Sequence, residues 1–366
     1  MQTRSKFRLL VVRLGAMGDI LHALPAVTAL RRAHPEWVID WVVEPRWRPL
    51  LASDEGQDCA RASELAARCI ARPVVDGLHL AATREWRKNP LSPTTLREIG
   101  HLRRGIRAGN FDAVLDLQGA IRSAVVARMA GSRRVIGEAK PREHAARWLF
   151  TEHVETRGAH VIEQDLELAA AVAGDDLQPA LPALPVDRAA EEWADQILPR
   201  GRCARIGLDQ TVLINPGAGW GAKRWPVERY AAVARGLVDR GLRVLVNAGP
   251  GEEPLAEAIV RSAGATAVSC TLEQLIALTR RITLAVAGDT GPLHLACALG
   301  RPVVGIYGPT DPSRNGPFGT RFRVLRSPQS RRDHSRRAAP EAGLLTILPA
   351  DVLRAVDELL AEESPR

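Results

Sequence analysis

The chain has 366 residues, 46% of them hydrophobic, and a formal charge of +8 at neutral pH, enough apolar chain for two domains of ordinary size. The basic excess is split evenly between residues 1–178 and the remainder, which excludes a basic nucleic-acid tail and suits anionic small molecules or an anionic membrane surface. The cysteines Cys59, Cys69, Cys203, Cys270 and Cys297 are odd in number and scattered, with no C-x-x-C pair, so neither a disulfide framework nor a metal site is expected and a reducing compartment fits.

At the N-terminus the apolar run "LLVV" ends at Arg13, too short for the core of a secretion signal, and no run of apolar residues is long enough to cross a membrane. The sequence reads as a cytoplasmic protein that meets a membrane, if at all, from one side. Short apolar runs then alternate with helix-period segments, the signature of βα units on parallel sheets. "FRLLVV", "VIDWVV" and "DAVLDL" are the strands expected in the first half. Between the first two, Ile20, Leu24, Val27 and Leu30 fall on one face of a helix. Thr95 and Glu98 have capping-box spacing ahead of the amphipathic "LREIGHLRRGIRAG".

Proline and small residues concentrate in "AGDDLQPALPALPVDRAA", where the linker is expected, giving domains over 1–178 and 179–345 and a closing helix over 346–366 that packs back on the first domain. A second series follows, "TVLINPGAG", "LRVLVNAGPGEE", "LAVAGDTGPLHLACALG" and "RPVVGIYGPTDP", each run ending in a Gly-rich turn. Ligands of open α/β sheets bind at the carboxyl ends of the strands, so these turns are expected to line one crevice.

In "AGDTGPLHLACALG" a strand ends, Gly288 allows a tight turn and Pro292 stands in the first helical turn, where its missing N–H costs nothing. The amides of Thr290 and Gly291 then suit a diphosphate, with His294 as a further donor; alternatively Asp289 or Thr290 is an ordinary N-cap and His294 a core histidine. "NPGAGWGAKRWP" brings Lys223 and Arg224 to another strand end, as charge for a leaving phosphate or as a solvated pair. Glu252 and Glu253 start a helix, either as acceptors for sugar hydroxyls or as dipole partners. Asp19, in "RLGAMGDILHALP", is either the cap of its helix or a base presented to a substrate.

Glu44 ends the second strand where a dinucleotide fold places its ribose-binding acid, but G-x-G-x-x-G counted from Gly15 needs glycines where Met17 and Ile20 stand. There is no G-x-x-x-x-G-K-[ST] phosphate loop. Arg84, Arg87 and Lys88 surround Trp86, and guanidinium forks suit phosphate or carboxylate. The run from Arg326 to Arg337 is more basic and has no apolar companion.

In this order, "RLGAMGDILHALPA", "DLQGAIRSA", "INPGAGWGAKRWP", "DTGPLHLACALGRPV" and "YGPTDP" resemble the landmarks of glycosyltransferase family nine, the heptosyltransferases of the lipopolysaccharide inner core, across most of residues 8–312. "WVVEPRW", "REWRKNPLS" and "PREHAARWLF" are more similar to the branch that adds the first heptose to a Kdo residue on lipid A than to the branch that adds the second. The resemblance implies a GT-B fold, α/β with two Rossmann-like parallel-sheet domains facing across a cleft, acceptor on the first and ADP-heptose on the second, with no cofactor and no catalytic metal. It implies Asp19 as general base and Lys223 as the cation at the diphosphate, and donor binding by Glu252, Asp289, Thr290, Gly291 and His294. It implies acceptor contacts from Arg84, Arg87, Lys88, Gln118 and Arg122, with transient contact to the cytoplasmic leaflet of the inner membrane and none to nucleic acid. Arg13, Gly15 and Ala16 replace the lysine and hydroxyl residues usual before Met-Gly-Asp, and Leu117 replaces the alanine of Asp-Ala-Gln-Gly. The readings of another class left standing are a nicotinamide-dependent oxidoreductase and a non-catalytic nucleotide-sugar binder.

Overall fold

The computed structural model describes residues 6–54, 70–198, 210–333 and 337–362. Cys59, Cys69 and Cys203 lie outside the described residues, and Cys270 and Cys297 are free thiols that burial pushes up to about 12. The chain divides into two compact units, Met1–Val186 and Asp187–Arg366, at a point inside the proline-rich stretch.

The first unit runs β1 (Arg8–Val12), α1 (Met17–Ala33), β2 (Val38–Val43), β3 (Gly77–Leu80), α2 (Thr83–Lys88), α3 (Pro93–Ala108), β4 (Ala113–Asp116), α4 (Ile121–Met129), β5 (Arg134–Glu138), β6 (Glu152–Val154) and α5 (Val161–Ala173). Its strands form one parallel sheet in the order β3-β2-β1-β4-β5-β6. Central strands of such a sheet are covered on both faces and so read as unbroken apolar runs, as Leu9–Val12 do. α1 departs from the one-faced helix expected. Met17 and every residue from Ile20 to Arg31 are buried, because α1 also packs against α5. α3 starts earlier than the Thr95–Glu98 pairing implied. Ser92 is the cap, accepting the Thr95 N–H at 3.1 Å, and Pro93 fixes the first turn, while Glu98 accepts the Trp86 indole N–H at 2.7 Å.

The second unit runs α6 (Arg188–Ile197), β7 (Thr211–Asn215), α7 (Val227–Val238), β8 (Arg243–Ala248), α8 (Glu253–Ala263), β9 (Thr266–Ser269), α9 (Leu272–Thr279), β10 (Leu284–Gly288), α10 (Gly291–Ala298), β11 (Val303–Tyr307), α11 (Pro312–Asn315), β12 (Phe322–Arg326) and α12 (Pro349–Ala361). Its parallel sheet, β12-β11-β10-β7-β8-β9, repeats the topology of the first. The closing helix is part of the second unit. Val352, Ala355, Val356 and Leu359, an i, i+3, i+4, i+7 stripe, are buried in the second unit's own core, against α7 and β12.

In each sheet the strand order reverses once, between β1 and β4 and between β7 and β10. At such a point the two connections leave in opposite directions and open a crevice beyond the strand ends. In the first unit Val12 is level with both Val42 and Asp116, and in the second Ala287 is level with Asn215. The turns that follow these residues carry most of the candidate chemistry.

Candidate active site

In the second unit the turns after β7 and β10 meet. The Lys223 ammonium is ion-paired with the Asp289 carboxylate, both nearly buried, and lies 4.3 Å from the centre of the Trp220 ring. His294, one turn into α10, donates its Nε2–H to the other Asp289 oxygen at 3.2 Å. Burial pushes the Asp289 carboxyl up, but the His294 hydrogen bond and the Lys223 charge outweigh it and hold the group well below the usual carboxylate range. Asp289 is therefore an anchor that aims Lys223 and His294, not a free acceptor for a sugar.

Thr290 is the N-cap of α10 but makes no side-chain cap; its hydroxyl donates to the Gly288 carbonyl at 3.2 Å. The positive end of this buried helix thus has no capping oxygen of its own, an arrangement suited to an anion. Glu252 is the N-cap of α8 and accepts the Gly249 N–H at 3.2 Å. It lies against the turn after β7: a Cβ on Gly217 would come within 2.1 Å of its carboxylate. Glu253 is exposed and turned to the Gly251 amide, so of the two glutamates Glu252 faces this turn.

The basic run that follows β12 is held against the turns after β7 and β11. Ala222 N–H donates to the Arg337 carbonyl at 3.0 Å, and the Ala222 carbonyl accepts from Glu341 N–H at 3.2 Å. Arg332 pairs with Asp311 at 3.0 Å, and Asp333 N–H donates to the Pro309 carbonyl at 3.0 Å. Residues 334–336 of the run lie outside the described residues. Gly221 is required here, because a Cβ would come within 1.7 Å of the Ala338 carbonyl oxygen.

In the first unit Asp19 occupies the first turn of α1 and accepts the Ala16 N–H at 2.9 Å, so it does cap the helix. Its other oxygen stands 3.5 Å from the buried Arg13 guanidinium, and its side chain remains 38% exposed, enough for a substrate to reach it. The turn leading to it is pinned from two sides. Gln118 accepts the Leu14 N–H at 2.8 Å, and Trp47 packs so closely on Gly15 that a Cβ there would meet the indole nitrogen at 2.7 Å. With φ at +153°, Gly15 also holds a backbone conformation that side chains resist. Asp116, at the end of β4, accepts the Gln118 and Gly119 amides, each at 2.8 Å, and burial pushes its carboxyl up to about 6.

Glu44 is not free for a ribose: its Oε1 accepts both the Thr83 hydroxyl and, at 3.2 Å, the Arg84 amide. Among the acceptor candidates, Arg84, Arg87 and Lys88 sit on α2 and Arg122 on α4, all exposed, and Lys88 is paired with Glu85 at 2.8 Å. Sequence reasoning noted Arg13 only as a departure from the family pattern and gave Asp116 no role. Their place at the ends of β1 and β4 was the available signal.

The model of glycosyltransferase family 9 (heptosyltransferase) matches residues 99–344. The chain belongs to this family. Lipopolysaccharide heptosyltransferase 1 of Escherichia coli is 29% identical to this family 9 protein over 344 residues, covering 88% of this chain and 94% of that one. The heptosyltransferase 1 of Pseudomonas aeruginosa is 29% identical over 326 residues, covering 85% and 81%. Lipopolysaccharide heptosyltransferase 2 of E. coli is 26% identical, covering 97% and 99%. Among solved structures, E. coli heptosyltransferase WaaC with ADP superposes with a TM-score of 0.75 at 26% identity, covering 96% of this chain and all of that one. The two sheets and their flanking helices have the α/β, GT-B architecture of that enzyme.

Proposed function

We propose that this family 9 protein is an inverting transferase that moves heptose from ADP-heptose to a Kdo residue of lipid A-linked inner-core lipopolysaccharide. Donor binding is the role of the second unit, through Lys223, Glu252, Thr290, Gly291 and His294, with Asp289 holding two of them in place. Acceptor binding is the role of the first unit, through Arg84, Arg87, Lys88, Gln118 and Arg122. Asp19 takes the proton of a Kdo hydroxyl as its oxygen attacks the anomeric carbon of the heptose. The carbon–oxygen bond to ADP breaks on the opposite face and its electron pair leaves with the diphosphate. Lys223 and the N-terminal amides of α10 meet that growing charge, support on the scale of a few kcal/mol. The proton stays on Asp19 until solvent takes it, and no covalent intermediate forms.

The observation that carries this reading is the pair of chemistries at the two reversal points: a reachable carboxylate beside Gln118 in one unit, and an anchored ammonium beside an open helix N-terminus in the other. WaaC, one of the similar structures, holds ADP, and a second of its structures holds ADP-2-deoxy-2-fluoro heptose. ADP release from ADP-heptose, measured with and without Kdo-lipid A, is the test. Release that depends on the acceptor, with a product heavier by one heptose, supports the proposal; absence of both overturns it. The near end-to-end match to heptosyltransferase 2 favours a second reading, addition to an acceptor that already carries the first heptose. Offering both acceptors in competition separates the two. The place of action we propose is the cytoplasm, in transient contact with the inner membrane; no described helix is long and apolar enough to cross one.

A further inference from the structure

We propose that the layer formed by α3, α4 and the 3-10 turn His144–Leu149 of the first unit is a docking face for the anionic leaflet of a phospholipid bilayer. The docking face rests on the transfer reading, in which a membrane lipid carries the acceptor, and names the surface that reaches it. The three elements pack side by side on one face of the sheet. Leu102 and Ile106 of α3, Ala124 and Ala127 of α4 and Ala146 of the turn share one buried cluster with strand residues such as Leu10 and Val114. A helix with its inner side filled in this way ordinarily turns polar side chains to water. Here Ile121 and Val125, one turn apart on α4, are 45% and 43% exposed, Trp148 is 77% exposed, and Leu91 and Leu96 stand open around the start of α3. Single exposed apolar residues mean little, but several on one layer rimmed by charge mark a contact surface.

The layer is also cationic. Arg122, already given to the acceptor, aside, it carries Arg97, Arg103, Arg104, Arg107, Arg128 and Arg147, and its one acid, Glu98, is turned to the Trp86 indole. None of these six arginines is ion-paired among the described residues, whereas in the second unit Arg240 is held by Asp357 and Arg281 by Glu191. α1 and α5 take no part in that cluster, pack on each other, and carry four acids and two arginines, so the unit has one basic and one acidic helical layer. The Arg147 guanidinium lies 5.5 Å from the centre of the Trp148 ring, a pairing suited to the boundary between headgroups and acyl chains. Charge is depleted at the core of a protein interface. Apolar side chains interleaved with unpaired arginines instead match a surface of anionic lipid.

The layer also borders the base. α4 begins three residues beyond Gln118, which holds the Asp19 turn through the Leu14 N–H. The 3-10 turn is fastened to the same place: Glu143 accepts the Ile121 N–H at 2.9 Å and donates its own N–H to the Gly119 carbonyl at 2.9 Å. A bilayer against this layer thus brings its surface sugars toward Asp19.

The test is sedimentation of the full-length protein with vesicles of phosphatidylethanolamine and phosphatidylglycerol that contain no lipopolysaccharide. Wild type is expected to bind them and to lose most of that binding at high salt or on phosphatidylcholine vesicles, where lipid charge is screened or absent. Val125→Asp with Trp148→Ser is expected to lower the affinity about tenfold with the melting temperature unchanged. Arg104→Gln with Arg107→Gln, which leaves the apolar side chains in place, is expected to lower it about fivefold per cation and to flatten the salt dependence. Leu181→Asp, at an exposed leucine outside the layer, is expected to change nothing. Wild type that stays in solution, or variants of the layer that bind as well as wild type, overturn the docking face. Self-association of wild type that Val125→Asp abolishes, with vesicles left unbound, overturns it in favour of a second copy. Vesicle binding is read without donor or acceptor, so its failure is separable from failure of the transferase reading.

Discussion

Replacing Asp19 by asparagine separates its two roles. The side-chain oxygen that accepts the Ala16 N–H at 2.9 Å has an amide counterpart, so the helix start survives. What is lost is the proton acceptor and the ion pair to Arg13 at 3.5 Å. The Asp19 side chain is 38% exposed, so that pair is screened and contributes up to about 1 kcal/mol. For a unit of this size the corresponding fall in melting temperature is about 2–4 °C. General-base help is worth about 10² to 10⁴ in rate, or roughly 3–5 kcal/mol at the barrier. Asp19→Asn is therefore expected to lose two to four decades of kcat, measured as ADP release at saturating donor and acceptor. ADP affinity by calorimetry is expected to stay unchanged, because the groups proposed for the nucleotide belong to the second unit. Turnover within tenfold of wild type, with ADP binding intact, refutes the base assignment and leaves Asp19 as a cap.

Asp116→Asn tests the buried acid behind that turn. Burial pushes its folded carboxyl up to about 6 from the ordinary 3.8, so the folded protein binds the extra proton between those values and wild-type stability falls as pH rises from about 4 to 6, by roughly 3 kcal/mol. Urea midpoints of the asparagine variant are expected to lack this fall; a parallel pH profile contradicts the assignment. Asp289→Asn strands Lys223, whose side chain is 10% exposed, and is expected to cost about 3–5 kcal/mol in urea denaturation together with weaker ADP binding. Because the Asp289 carboxyl is held low, its contribution is present above the unfolded carboxylate range and lost only as pH falls through the folded value, so the deficit is expected to be constant from pH 5 to 8. Gly217→Ala drives a Cβ to within 2.1 Å of the Glu252 carboxylate, a movable group, so calorimetry and kinetics are expected to show donor affinity falling about tenfold with little change in melting temperature.

The strands buried on both faces announce themselves, since a run such as "LLVV" or "LAVAG" can be apolar throughout only where helices cover it from both sides. The edge strands do not. β3 is half-exposed, β6 is three residues of mixed polarity, and β12 is partly open, so no periodicity marks them. The glycines carried most of the site: Gly217 lies on a carboxylate and Gly221 on a backbone carbonyl, approaches that only a missing side chain permits. Pairing across the sheet was out of reach. Asp289 looks like a ligand to a sugar until Lys223 and His294, 66 and 5 residues away in sequence, are seen to share it. The run from Arg326 to Arg337 looks solvated until its backbone is found hydrogen-bonded to Ala222 and Pro309.

The two sheets have the same strand order and reverse at the same place, so topology alone gives each unit a crevice and no chemistry. The chemistry comes from which residue each reversal point presents. In the first unit the β1 turn bends over Gly15 and starts its helix with a carboxylate, which the helix N-terminus stabilises as an anion while 38% of it stays open to an incoming hydroxyl. In the second the β10 turn starts its helix with Thr290 and leaves the N-terminal amides uncapped, while Asp289 spends its charge on Lys223. On the proposed reading, an aspartate displaced by a few residues along either turn would undo the arrangement, capping the helix assigned to the diphosphate or leaving the acceptor without its proposed base. On the proposed reading, proton abstraction and leaving-group charge are thus handled at a helix N-terminus in each unit, with neither N-cap residue making a side-chain cap; in α1 Asp19 reaches back to the Ala16 amide.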